Sequence, residues 1–314
     1  MEDQETGYGE LHLHLDGAIT PRIAKKLAAL QGIELPYEGE QLNNALSVGE
    51  DCQSLNEFLQ CFDLPLKLLQ TKEGISEAIY LVQEELKAEG LSYAELRFAP
   101  QLHCQGGLSQ AQVIEAALDG LKRSTLPCNL ILCCMRGADN EELNMQTVET
   151  AKKYLGDVVC AVDIAGAEGL FPTENFAPVF AKVREYGVPM TLHAGEAAGP
   201  DSMKTALSFG TKRIGHGVAA INDPELIKRL IDENVTLEVC VTSNYHTKVV
   251  PAINMHPIHK LLEAGVHVTV NSDNRTCSRT TLQKEKEVLK EELGFTDEEI
   301  EKMQEYAWEA RFLK

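Results

Sequence analysis

The stretch 10–17 reads Glu-Leu-His-Leu-His-Leu-Asp-Gly, and we expect the rest of the chain to be organised around it. Residues two apart on a β-strand point to one face, so a strand here would turn His12 and His14 to one side and the leucines to the other. Two imidazoles on one face supply part of the ligand set of a zinc site. A half-buried strand with two incidental histidines would give the same pattern. Asp16 and Gly17, which close the strand, favour a site.

Composition limits the classes of protein to which the chain can belong. Its 314 residues include 48 acidic and 29 basic residues, and the net charge of −19 argues against a nucleic-acid partner. The acidic start predicts neither a signal peptide nor an anchor, and no stretch approaches the roughly 18 consecutive apolar residues of a membrane span. The nine cysteines include several within strand-like apolar runs, which predicts buried thiols and a cytoplasmic location.

Strand and helix patterns alternate along the chain without a linker or repeat, so we expect one domain over residues 1–314. With the opening strand, the predicted strands are 93–100, 129–136, 158–166, 189–195, 213–217, 235–243 and 266–273. Helical patterns separate most of them, at 110–123, 141–154, 176–186 and 224–233. Repeated β–α units predict parallel strands and a TIM-type eight-stranded β/α barrel, and a doubly wound open sheet is the alternative.

A helical insertion of about residues 40–90 follows the first strand and an initial helix at 21–30. In residues 54–69, Ser54 can cap a helix with Glu57 three residues later. The apolar stripe of that helix consists of Leu55, Phe58, Leu59 and Phe62. Such a stripe is explained either by core packing or by a flap over the mouth of an active site.

Polar side chains follow almost every predicted strand. They are Asp16, Arg97, Arg136, Asp163, His193 with Glu196, His216, Thr242 with Ser243 and Asn244, and Asp273 with Asn274. A β/α barrel carries its active site at the carboxyl ends of its strands. Each residue alone has a structural explanation, such as helix capping, but together they indicate a site.

Within this set, His193 and Asp273 are the candidates for the third and fourth metal ligands beside His12 and His14. Three histidines and one aspartate suit a single zinc ion with a position open for water. Glu196 lies past a glycine that lets the chain turn, so its carboxyl can act as a general acid if its pKa is raised. His216 can hydrogen-bond the nucleophile and orient it.

Eight motifs in sequence order resemble the adenosine deaminase family, a branch of the amidohydrolase superfamily. They are His-Leu-His-Leu-Asp-Gly-Ala (12–18), Ser-Leu-Asn-Glu-Phe-Leu (54–59), Tyr-Ala-Glu-Leu-Arg-Phe-Ala-Pro (93–100), Val-Asp-Ile-Ala-Gly (162–166), Leu-His-Ala-Gly-Glu (192–196), Arg-Ile-Gly-His-Gly (213–217), Leu-Glu-Val-Cys-Val-Thr-Ser-Asn (237–244) and Val-Asn-Ser-Asp-Asn (270–274). The resemblance implies a zinc-dependent hydrolase that converts adenosine, and 2′-deoxyadenosine, to inosine and ammonia in purine salvage and nucleotide metabolism.

The resemblance also implies roles for individual residues. Glu196 would donate a proton to purine N1, and His216 with Asp273 would position the attacking hydroxide. Contacts to the substrate would come from His14, from Asp16 at the ribose, from the Gly166 N–H at N3 and from Asn274 at N7. The metal would be held by His12, His14, His193 and Asp273.

Two positions depart from the family pattern. Asn274 stands where many members have a second aspartate, and an asparagine amide can donate to N7 directly. We therefore expect Asn274 to preserve binding. Val241 replaces a proline that often follows the cysteine, and we expect only a structural effect.

Competing functions differ in the motifs that they require. The cytidine-deaminase type of zinc enzyme carries His-x-Glu and Pro-Cys-x-x-Cys, and neither occurs here. Residues 158–166 contain no lysine that could bridge two metal ions. A nucleotide substrate would require Lys or Arg near the ribose. The sequence contains no Gly-rich loop with lysine, so AMP is disfavoured. Adenine and 5′-modified adenosines remain alternatives, as does a nucleoside-binding protein that has lost catalysis. The sequence makes no prediction of oligomeric state.

Overall fold

The strands of the computed structural model, which describes residues 7–49, 52 and 58–313, run parallel. They are β1 (Tyr8–His14), β2 (Leu91–Phe98), β3 (Cys128–Met135), β4 (Val159–Ala165), β5 (Thr191–Ala194), β6 (Arg213–His216), β7 (Thr236–Val239) and β8 (His267–Val270). They pair in sequence order as two ladders, β1 to β4 and β5 to β8. A doubly wound sheet would reverse its strand order at a switch point, and this order has no reversal.

Backbone contacts join the two ladders on both sides. Leu13 forms a parallel bridge with Asp273, whose N–H donates to His12 O at 3.0 Å. On the other side Val162 forms a bridge with Met190. The predicted TIM-type β/α barrel is therefore the observed fold.

Helices alternate with the strands and pack around them. They are α1 (Pro21–Gln31), α2 (Gly39–Leu46), α3 (Asp63–Leu68), α4 (Lys72–Ala88), α5 (Gln110–Leu121), α6 (Glu141–Tyr154), α7 (Ala177–Tyr186), α8 (Pro200–Ser208), α9 (Pro224–Asp232), α10 (Val241–His246), α11 (Ile258–Glu263), α12 (Leu282–Leu293) and α13 (Asp297–Ala310). Helix α1 begins as predicted, because Thr20 accepts a hydrogen bond from Ile23 N and Pro21 occupies the first turn. None of the helices in the described ranges is long and apolar enough to cross a membrane.

The segment between β1 and β2 contains α1 to α4, in agreement with a helical insertion there. Ser54, Leu55 and Glu57, on which the predicted capping box and part of its stripe rest, lie outside the described residues. From residue 58 onward the chain is helical, but Gln60–Phe62 forms a 3₁₀ turn before α3. The predicted helix is therefore present in this part, with a 3₁₀ turn within it.

The last two strands are shorter than predicted. The prediction ran to residue 243 for β7, but the strand ends at Val239, and α10 follows. Its neighbour β8 ends at Val270, and Asn271 N donates the last hydrogen bond to Val239 O at 2.9 Å. The residues after β7 therefore have no neighbouring strand with which to pair, and they form the helix α10 instead.

Candidate metal and active site

Four side chains from opposite sides of the barrel converge at the carboxyl ends of its strands. The Nε2 atoms of His12 and His14 each lie 3.4 Å from Asp273 Oδ1, and His14 Nε2 lies 3.3 Å from His193 Nε2. Zinc bound tetrahedrally at about 2.0–2.1 Å separates its ligand atoms by about 3.3–3.4 Å. Within the described part of the chain, His12 Nε2 and Asp273 Oδ1 are buried without a hydrogen-bond partner. The donor set therefore fits a metal ion.

A looser grouping contains His216 in place of His14. The ligand atoms of His12, His193, His216 and Asp273 all lie within 4.8 Å of one another. His14 Nε2 lies 3.3 Å from His193 Nε2 and 3.4 Å from Asp273 Oδ1. Both His14 and His216 therefore lie at the cluster, and the predicted ligand set has His14 as its fourth member.

Buried carboxylates orient two of these histidines through their second ring nitrogens. His12 Nδ1 lies 2.9 Å from Glu238 Oε2, and His193 Nδ1 lies 2.8 Å from Asp163 Oδ2. An Nδ1–H that donates to a carboxylate leaves Nε2 free to bind a metal. Arg97 donates to both carboxylates, at 2.7 Å each. Burial alone would raise the pKa of Glu238. The charges of Arg213 and Arg97 outweigh burial and hold this pKa well below its ordinary value.

The chain turns sharply at Gly195 to bring Glu196 into the site. Gly195 has φ of +70°, and a Cβ there would lie 2.6 Å from the side chain of Met203. Glu196 Oε1 accepts a hydrogen bond from Thr247 at 3.4 Å, and Oε2 lies 3.6 Å from His216 Nε2. Burial and then the charge of Asp273 raise the pKa of Glu196 to about 7. The group therefore meets the condition set for a general acid at neutral pH.

Hydrogen bonds that begin at a backbone amide fix the tautomer of His216. Ile258 N–H donates to His256 Nδ1 at 3.2 Å, so the proton of that neutral ring is on Nε2, which donates to Asn244 Oδ1 at 3.1 Å. The Asn244 amide then presents its Nδ2 donor to His216 Nδ1, also at 3.1 Å. His216 Nδ1 is thus an acceptor, and Nε2–H points towards Glu196. Burial and then His12 hold the pKa of His216 well below its ordinary value, so the ring is neutral.

Backbone strain marks two of the site residues. His216 has φ of +61° and Asp273 has φ of +56°, in the left-handed region that residues with a Cβ rarely adopt. Ser243 donates to Asp273 Oδ2 at 2.5 Å and helps to hold that carboxylate. Such strain concentrates where a functional geometry must be maintained.

A cavity of about 410 Å³ opens beside the cluster of candidate metal ligands. The residues predicted to contact substrate all line it, namely His14, Asp16, Gly166 and Asn274, together with Glu196, His193, His216 and Asp273. Gly17 allows a close approach here, because a Cβ on it would lie 2.2 Å from Asn274 Oδ1. The structure therefore brings the predicted residues together, and His12 lies buried next to them.

The cavity lining includes both apolar and acidic side chains. Its apolar lining includes Phe58, Leu59, Phe62, Leu66, Leu102 and Met135. Arg136 is the one lysine or arginine among the described lining residues. Its Nη atoms donate to Phe171 O, Thr173 Oγ1 and His193 O at 2.7–3.0 Å. Both Nη atoms of its guanidinium therefore donate to the protein, and its Nε–H is buried without a partner in the described part of the chain. Among the described lining residues, no lysine and no second arginine is available to a phosphate.

Comparison with known proteins agrees with the predicted resemblance. A family model described as adenosine deaminase matches residues 8–314. The chain belongs to the adenosine deaminase family. The adenosine deaminase of Haemophilus ducreyi is 46% identical over 306 residues, which are 95% of this chain and 89% of that protein.

Solved structures of related family members share the fold. The adenine deaminase of Arthrobacter aurescens superimposes with a TM-score of 0.86 at 26% identity, covering 98% of this chain and 94% of that one. The N6-methyl-AMP deaminase of Arabidopsis thaliana has a TM-score of 0.82 at 25% identity, with 99% and 93% coverage. Deaminases of a base and of a nucleotide thus share this barrel.

Sequence reasoning missed two buried glutamates near the site. Glu238 lies within the apolar run of β7, where a charged residue is a signal for an inward-facing partner. Glu168 gave no such signal, because it lies in a polar loop two residues after Gly166. Its contacts are visible only in the folded chain.

Proposed function

We propose that the chain hydrolyses adenosine and 2′-deoxyadenosine to inosine and ammonia, in purine salvage. This makes it a hydrolase of the C–N bond of a cyclic amidine. The observation that carries the proposal is the cluster of metal-donor atoms 3.3–3.4 Å apart in the same cavity as a glutamate whose pKa is raised to about 7. Membership of the adenosine deaminase family supports it.

We propose that His12, His14, His193 and Asp273 hold one zinc ion. A bound zinc ion would supply Lewis acidity, which would make water a nucleophile near neutral pH. Glu238 and Asp163 support this assignment, because each fixes the ring of one ligand histidine through Nδ1.

Glu196 is the proton donor in this proposal. Its carboxyl would be about half protonated at neutral pH and would give its proton to purine N1. Protonating N1 withdraws electrons from C6 and weakens the C6–N1 double-bond character, so that the nucleophile can add at C6. The added oxygen gives its remaining proton to the 6-amino group, which leaves as ammonia as the C6 carbonyl of inosine forms. N1 keeps the proton from Glu196, and the other proton of the water restores the Glu196 carboxyl.

His216 and Asp273 position the nucleophile. The His216 Nε2–H is a donor that points into the site, and it can hold an oxygen atom over C6 without itself being charged. The Asp273 carboxylate is an acceptor on the other side of that oxygen. A donor and an acceptor on one oxygen fix both its place and its lone-pair direction.

Three residues select a purine nucleoside. Asp16 would accept from the ribose hydroxyls, the Gly166 N–H would donate to N3, and the Asn274 amide would donate to N7. Asp16 supports a nucleoside over free adenine, because adenine offers no hydroxyl to this buried carboxyl. Burial raises the pKa of Asp16 to about 6, so a hydroxyl partner would lower the cost of its charge.

We propose further that residues 1–314 act as one domain with its helical insertion at about 40–90, in the cytoplasm and without nucleic acid or membrane as partner. Eight of the nine cysteines are buried, which supports a reducing location in which they stay as thiols. The net charge of −19 supports the absence of a nucleic-acid partner.

Product analysis tests the proposed function. Zinc-loaded protein is incubated with adenosine, and ammonia and inosine are measured together. We expect equal amounts of both, and loss of both with Glu196→Gln at unchanged zinc content, because an amide cannot supply the N1 proton. Tight adenosine binding without ammonia release would instead indicate a binding protein.

A further inference from the structure

Glu168, in the loop that follows β4, accepts five hydrogen bonds although it is only 3% exposed. Its Oε1 accepts from Gly195 N at 2.7 Å and from Ser202 Oγ at 2.5 Å. Its Oε2 accepts from the successive amides of Glu196, Ala197 and Ala198 at 2.8–3.0 Å. A row of backbone N–H groups around one carboxylate is the way in which a polypeptide binds an anion.

No lysine, arginine or histidine forms an ion pair with Glu168 in the part of the chain that the structure describes. Its hydrogen bonds come from four amides and one hydroxyl, and Arg136 interacts with it through charge without a direct ion pair. All four amides belong to the segment that carries Glu196 from the end of β5 towards α8. Removing the acceptor would leave several of these N–H groups without a partner.

Hydrogen bonds beyond Ser202 tie Glu168 to the barrel. Ser202 Oγ lies 2.7 Å from Thr173 Oγ1, which accepts from Arg136 Nη2 at 3.0 Å. The same Nη2 donates to His193 O at 2.7 Å. The support of the Glu196 segment therefore continues to the strand that bears His193.

The Glu196 side chain has little support of its own. Among the described residues, its carboxyl accepts a long hydrogen bond of 3.4 Å from Thr247, and His216 Nε2 is 3.6 Å away. The direction of the carboxyl is consequently set by the backbone from which it extends. That backbone is the one that Glu168 holds.

We propose that Glu168 is a positioning residue for the reaction, which fixes the segment 195–198 so that the Glu196 carboxyl stands where purine N1 is protonated. The inference rests on the proposed function, since it assigns Glu168 a role through Glu196. It predicts an effect on turnover rather than on substrate binding or metal content.

Glu168→Gln is the direct test, because the amide has the same shape but only one acceptor oxygen. We expect kcat for adenosine to fall about 100-fold and KM to change less than about threefold, the cost of misplacing a reacting group. Zinc content should be unchanged. Hydrogen exchange at amides 195–198 should be faster than in the wild type, which is a readout independent of activity.

A double-variant comparison separates positioning from general damage. If Glu168 acts through Glu196, then Glu168→Gln added to Glu196→Gln slows the enzyme no further. Glu77→Gln is the matched control, because Glu77 is also buried but pairs with Lys26 and Arg123 at 2.7 Å on the outer helix α4. Its kcat should equal that of the wild type.

Ser202→Ala decides the question if Glu168→Gln does not fold, because it removes one donor and keeps the carboxylate. We expect kcat to fall about threefold to tenfold with faster exchange at 195–198. Wild-type kcat in Ser202→Ala or in Glu168→Gln, or a double variant slower than Glu196→Gln by the full single effect, would overturn the proposal. A wild type inactive on adenosine would instead refute the proposed function.

Discussion

Glu196 combines burial with a neighbouring negative charge, and both make its proton harder to lose. A proton donor acts in its protonated form, so a pKa raised to about 7 keeps the donor active below that pH and deprives it of its proton above. We expect kcat/KM for adenosine to fall as the pH rises through about 7. A pH profile of the zinc-loaded enzyme measures this. A rate that keeps rising well above that pH would contradict the assignment of Glu196.

The tautomer of His216 gives a second prediction at the scale of the residue. Because the hydrogen bonds from Ile258 through His256 and Asn244 leave His216 Nδ1 as an acceptor, the proton is on Nε2. Nitrogen NMR of histidine-labelled, zinc-loaded protein should show an Nε2–H tautomer for His216. Asn244→Asp turns that donor into an acceptor and should move the proton to Nδ1 and lower kcat about tenfold or more. Nδ1–H in the wild type would contradict the derivation.

The sequence predicted individual residues best where their spacing along a strand determines the direction of their side chains. His12 and His14 point to one face because a strand has a period of two, and β1 is such a strand. The partners of these residues could not be predicted in the same way. Glu238 hydrogen-bonds His12, which is 226 residues away in the sequence, and Glu168 hydrogen-bonds Ala198, which is 30 residues away. Only the folded barrel brings these partners together.

At the scale of the element, local signals predicted helix starts well and strand ends poorly. Thr20, Pro21 and the left-handed Gly32 define the ends of α1 through local contacts, although Thr20 also donates to Glu85 on α4. The end of β7 instead depends on where its neighbour β8 stops, and that information is not local. The same holds for the 3₁₀ turn Gln60–Phe62, which lies beside the cavity.

This turn and the residues before it are the predicted flap. Phe58 is buried in a small cluster with Cys61 and Cys277, so its part of the stripe is core packing, although it also borders the cavity. Leu59 is 45% exposed and lines the cavity, as a flap residue would. Whether this element covers a bound nucleoside stays a prediction.

Leu59→Ser tests the flap without removing a buried side chain. If adenosine covers Leu59, the loss of about 1 kcal/mol of apolar burial should raise KM about fivefold with little change in kcat. Leu30→Ser is the control, because Leu30 is 53% exposed on α1 and does not line the cavity. Equal KM values for the two variants would favour packing as the only role of this element.

For the molecule as a whole, the interior of the barrel under the metal site is charged. Arg97 bridges Asp163 and Glu238, and Arg213 bridges Glu238 and Glu95, with all five side chains at most 3% exposed. Side chains of branched apolar residues usually fill a β/α barrel. Here the charges connect the proposed ligand histidines of β1 and β5 to one another, so metal binding and barrel stability should be coupled.

Arg97→Met tests this coupling. It leaves two buried carboxylates without their shared partner, so we expect the free energy of unfolding to fall by about 3–5 kcal/mol and zinc affinity to fall about 10- to 100-fold. Urea unfolding and zinc competition measure the two effects. Arg22→Met removes an exposed ion pair with Glu85 and should cost at most about 1 kcal/mol. An Arg97→Met protein as stable as Arg22→Met would contradict the coupling.

Initial rates with three substrates test whether this barrel deaminates a purine nucleoside. Absorbance loss near the maximum of adenosine is followed on zinc-loaded protein with adenosine, adenine and AMP. We predict fast loss with adenosine and much slower loss with the others, because Asp16 needs a ribose and Arg136, whose Nη atoms donate to the protein, is the one lysine or arginine among the described lining residues. Faster turnover of adenine or AMP, or none with adenosine, would contradict the account.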